Sequence, residues 1–81
     1  MNIIEQKLQT ALTSIYEGKY DKTILECNEI LEIDPRNILA LKRAGSAYYA
    51  SGNKKKAKES WQTAAEIDPK DPELQKFMKM K

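Results

Sequence analysis

The tetrapeptide EIDP stands at Glu32-Ile33-Asp34-Pro35 and again at Glu66-Ile67-Asp68-Pro69, 34 positions later in a chain of 81 residues. Four common residue types can recur by accident, so the test is whether agreement extends outward at the same offset. Gly18 then pairs with Gly52, Ile30 with Ala64, Leu31 with Ala65 and Asn37 with Asp71. Each copy also carries apolar residues at helical spacing ahead of its proline. These are Tyr20, Ile24, Cys27, Ile30 and Leu31 in the first copy, and Ala57, Trp61, Ala64, Ala65 and Ile67 in the second. Shared glycine, stripe and proline mark a repeated unit. Within EIDP the acids read as solvated helix-end residues, the isoleucine as packing between layers, and the proline as the helix stop.

The punctuation divides the chain into helices. The first is expected from about Asn2 to Tyr16, ended by Gly18, which takes the positive φ of a C-terminal cap. The second runs from about Tyr20 to Ile33 and stops before Pro35. Asn37 suits an N-cap for a third, about Ile38 to Ser51, and a fourth spans about Asn53 to Ile67. Asp71-Pro72-Glu73 reads as N-cap, first-turn proline and an acid at the positive end of a dipole, opening a short fifth helix to about Met80. Such short connections predict antiparallel neighbours.

Composition agrees. Lys, Ala, Glu and Leu are abundant, valine is absent, and there is one Phe and one Trp, so helix is favoured over strand. A net charge of +2 is too mild to point to nucleic acid. One cysteine, Cys27, excludes an intramolecular disulfide and suits a reducing, cytoplasmic setting. No apolar run nears the roughly 20 residues of a membrane span, and the N-terminus lacks the basic-then-apolar pattern of a secretory leader.

A helix–turn–helix unit of 34 residues ending in Asp-Pro resembles the tetratricopeptide repeat (TPR). The second copy, 38–71, matches the family pattern closely through Leu41, Ala44, Gly45, Tyr48, Ala57, Trp61, Ala64 and Pro69. Small Gly45 and Ala57 let two helices approach, whereas Tyr48 and Trp61 fill larger gaps. The first copy, about 4–37, matches through Gly18, Tyr20, Asp21, Ile24, Ile30 and Pro35. The resemblance implies an all-α, right-handed α-solenoid of antiparallel helix pairs: two TPR units and a capping helix at about 72–80, in a single domain over 1–81. The cap would turn Leu74, Phe77 and Met78 inward, with Lys76, Lys79 and Lys81 in water.

The first helix departs from the pattern. At an offset of 34 its core positions are Lys7, Thr10, Ala11 and Ser14, while its apolar stripe is Ile4, Leu8, Ala11, Leu12 and Ile15. Either the turn is one residue short, bringing the stripe into the core and aligning Tyr16 with Tyr49, or the register holds and the stripe faces the groove or a partner. The short turn is favoured because it buries the apolar side chains.

Catalysis and metal binding have little to build on: there is no histidine, and Cys27 lies on an apolar stripe as a core thiol. No phosphate loop is present, so neither an enzyme nor a cofactor is expected. Lys54-Lys55-Lys56 with Lys58 reads as a solvated face, without interleaved aromatics. The resemblance implies a protein or peptide partner, and neither nucleic acid nor membrane, bound in the concave groove. Leu39, Lys42, Arg43, Ser46, Tyr49 and Ala50 would line it. The short turn adds Gln6, Gln9, Thr10, Thr13 and Tyr16; the alternative adds Leu8, Leu12 and Ile15. The family's carboxylate-clamping subclass is disfavoured: Lys42 matches, but Ser46 and Phe77 replace asparagines. Ile3, Ile4 and Leu8 have no preceding layer, which suggests a homodimer or the C-terminal part of a longer repeat protein.

Overall fold

A computed structural model describes residues 2–80, so Lys81 lies outside the described residues. The described chain is all-helical, with α1 Ile3–Tyr16, α2 Tyr20–Ile33, α3 Ile38–Ala50, α4 Lys54–Ile67 and α5 Pro72–Met78. Side-chain caps open four of them. Asn2 accepts from the Glu5 N–H, Asn37 from Ala40, Asn53 from Lys56, and Asp71 from both Glu73 and Leu74.

Hydrogen bonds in the turns repeat with the sequence. After α1 the Lys19 N–H donates to the Ser14 carbonyl at 2.9 Å and Gly18 to Ile15 at 3.1 Å. After α3 Asn53 donates to Tyr48 at 2.8 Å and Gly52 to Tyr49 at 3.1 Å. Both are Schellman closures, in which the residue past the helix must take positive φ; Gly18 and Gly52 do so, at 76° and 95°. The turn after each EIDP repeats likewise, the Asn37 N–H donating to the Asp34 carbonyl and Asp71 to Asp68.

Equal turns overturn the short-turn register. Ala11 and Ser14 are the buried residues of α1, at the positions of Gly45 and Tyr48, and Tyr16 is 83% exposed. An apparently poor core is completed by polar pairing instead. Ser14 Oγ lies 2.6 Å from Thr23 Oγ1, and Thr23 also donates to the Lys19 carbonyl, so both buried hydroxyls are satisfied. Lys7, at the next core position, is half-buried and pairs with Glu29 at 3.1 Å. Its ammonium reaches a carboxylate while its stem covers apolar surface.

The core forms two joined layers. Ala11, Cys27, Ile30, Ala40 and Ala44 make the first; Leu41, Ala57, Trp61, Ala64 and Leu74 make the second. Leu31 and Tyr48 pack against both. Trp61 fills the second layer because Gly45 leaves room for its ring. Phe77 of α5 then stacks on Trp61 with ring centroids 4.7 Å apart. Leu74 is fully buried as expected, but Met78 is 40% exposed and Met80 packs inward in its stead, because α5 stops at Met78. Ile67 packs against the second layer, whereas its equivalent Ile33 is 55% exposed.

Candidate functional site

Three helices wall a groove of about 460 Å³. From α1 come Leu12, Ile15 and Tyr16, the stripe displaced from the core by the preserved register. Leu39, Lys42, Arg43 and Ser46 come from α3, where they occupy the face opposite buried Leu41, Ala44 and Ala47. Glu73 and Phe77 of α5 close the far side. The groove therefore gathers apolar side chains around two cations.

Those cations are held differently. Lys42 Nζ donates to Asp71 Oδ2 at 3.1 Å and contacts Glu73 Oε1 at 2.8 Å, with its side chain only 15% exposed. Burial works against the Lys42 ammonium, but its hydrogen bonds to Glu73 and Asp71 outweigh this and raise its pKa. Asp71 is pulled down first by the Leu74 backbone N–H and then by Lys42. Arg43 Nη1 instead donates to the Leu8 carbonyl at 2.9 Å, and no described carboxylate pairs with it.

Five of the expected groove residues thus meet in one place: Tyr16, Leu39, Lys42, Arg43 and Ser46. Tyr49 does not line this groove. Its ring packs toward Trp61 at 5.7 Å with Lys54 Nζ 5.6 Å from its centroid. Ile3 is 52% exposed, while Ile4 and Leu8 lie partly buried against the first core layer. Cys27 is fully buried, and burial pushes its thiol up to about 11, as suits a core residue. In the sequence Asp71 and Glu73 show only the pattern of helix-capping groups. Their contact with Lys42 crosses about 30 residues, which local pattern does not register.

Stacked helix pairs with a groove along their first helices define a helical-hairpin repeat protein. The tetratricopeptide repeat family model matches residues 14–80, and the chain belongs to that family, whose members are generally protein–protein interaction modules without enzymatic activity. Over 59 residues the chain is 34% identical to the Small glutamine-rich tetratricopeptide repeat-containing protein 2 of Mycosarcoma maydis, covering 73% of this chain and 17% of that protein. It is 30% identical over 69 residues to the Meiotically up-regulated gene 93 protein of Schizosaccharomyces pombe, covering 85% of this chain and 18% of that one. The matched region spans less than a fifth of either relative. No helix among the described residues is long and apolar enough to cross a membrane.

Proposed function

We propose that the chain is a scaffold module that holds a partner peptide or helix in the groove between α1, α3 and α5. The observation that carries this reading is the exposure of large side chains around a concave surface: Tyr16 is 83% and Leu39 48% exposed beside the groove that Phe77 closes. Exposed apolar side chains collected in a concavity favour binding, because a partner removes them from water. Aromatic and arginine groups often dominate such interfaces, and Tyr16, Phe77 and Arg43 supply both. The partner is a protein segment rather than nucleic acid, since the lysine run lies outside this groove.

The test is selection from a random-peptide display library on immobilised wild type and on Tyr16→Ala/Leu39→Asp. Both substitutions fall on exposed positions, so the variant is expected to keep its helical circular dichroism. Clones retained by wild type and lost on the variant support the groove. Equal retention of every clone refutes it.

A second reading, pairing of two copies through the open end of the first layer, draws on Ile3 and Ile33, 52% and 55% exposed. Ile4 and Leu8 contribute less, being partly buried within the chain. Sedimentation equilibrium showing monomer at high concentration would remove this reading.

A further inference from the structure

We infer that the groove selects an apolar segment bearing one carboxylate, received by Arg43, and does not favour polyacidic segments. This rests on the groove reading above and specifies its partner. Lys42 and Arg43 are neighbours in sequence and both line the groove, yet only one of them has charge to offer. Lys42 is neutralised from two sides by Asp71 and Glu73. Asp71 cannot readily turn away, because its other carboxylate oxygen caps α5 by accepting from the Glu73 and Leu74 N–H groups. Glu73, whose side chain is 55% exposed, adds negative charge to the groove wall.

Among the described residues no carboxylate gives Arg43 such compensation. Its hydrogen bond goes to the Leu8 carbonyl, which is neutral, and uses Nη1 alone. That contact fixes the guanidinium and leaves most of its five N–H donors for a ligand. A planar fork held in place suits a carboxylate, because little side-chain entropy remains to be lost. Leu12, Leu39 and Phe77 share the groove, so an apolar ligand would exclude water around the pair and strengthen it. Lys42 and Arg43 balance Asp71 and Glu73 in charge, leaving no net field to draw in a string of acids.

The selection described above decides the matter through the sequences it retains. Groove-dependent clones are expected to carry apolar residues with a single Asp or Glu. A synthetic peptide from such a clone should bind about tenfold more weakly when that acid becomes its amide, as measured by fluorescence anisotropy. Arg43→Gln should remove the difference between acid and amide peptides. The peptide substitution alone carries the test if that variant is unstable. Asp71→Asn/Glu73→Gln, which keeps an oxygen to cap α5, should free Lys42 and shift selection toward clones with two or more acids. Groove-dependent clones without an acid, clones rich in acids on wild type, or equal affinity for acid and amide would each overturn the inference while leaving the groove standing. Absence of any groove-dependent clone would sink the groove reading and this inference together.

Discussion

A Cβ added to Gly45 would stand inside the indole of Trp61, closer than real Cβ atoms approach any neighbour. The same closeness leaves the buried Trp61 Nε1–H without a hydrogen-bond partner among the described residues. Such a group costs about 1–3 kcal/mol, so the ring's packing in the second core layer outweighs a real penalty. Gly45→Ala gains about 1 kcal/mol of helix propensity, but a rigid ring cannot yield, and overpacking costs about 1–3 kcal/mol or more. The expected result is a lower Tm, by several degrees for a domain this small, measured by circular dichroism. Cys27 offers a second check. With its thiol pushed up to about 11 by burial, native protein at pH 8 should not react with a thiol reagent, whereas denatured protein should react at once. Because the folded value is raised, this group's contribution is present below the ordinary 9.0 and fades as pH climbs through about 11. Gly45 and Trp61 were legible as a small-large pair from their types and family positions; the orphaned indole N–H was not, because it depends on ring orientation.

Among the elements, α5 docks through charge as well as apolar packing. It is seven residues long, too short to persist alone, and is held by Leu74, by Phe77 on Trp61 and by the Lys42 pairing. Asp71 has a lowered pKa, so its contribution is present above the ordinary 3.8 and is lost as pH falls through its folded value. Lys42 has a raised pKa, so its contribution is present below 10.5 and is lost as pH rises through its folded value. Docking of α5 should therefore hold steady between those limits and loosen first in acid. Trp61 emission, which senses Phe77, should change as pH drops below 3.8, and Asp71→Asn should flatten that acid limb. The helix itself was readable from Asp71-Pro72-Glu73. Its latch was not, because Lys42 lies a whole repeat away.

Five helices among the described residues are few to close a repeat protein's core. The molecule answers otherwise. Its radius of gyration is 11.7 Å, against about 11.7 Å for a compact domain of this length. Its accessible surface is 5225 Å², against about 5,000 Å² for a monomer of this mass. Leu31 and Tyr48 pack against both core layers, which couples the opening of one to the other. Unfolding in guanidinium should then be a single transition, with Trp61 fluorescence and helical circular dichroism superimposing. Two separated transitions would show that the layers behave as independent repeats.

Glycine and proline at an offset of 34, with Asn37 and Asp71 as equivalent caps, carried the helices, the turns and the repeat, because caps and positive φ are local demands that particular residue types meet. The facing of α1 could not be settled that way. Counting apolar residues favoured a shortened turn, since burial of Leu8, Leu12 and Ile15 looked more favourable than burial of Ser14. Once α2 is in place, Thr23 satisfies the Ser14 hydroxyl at 2.6 Å, and the polar residue goes inside without an unpaired group. Leu12 and Ile15 are thereby turned into the groove. The lining of the groove thus follows from a hydroxyl pair across two helices, a contact that exists only after the chain has folded.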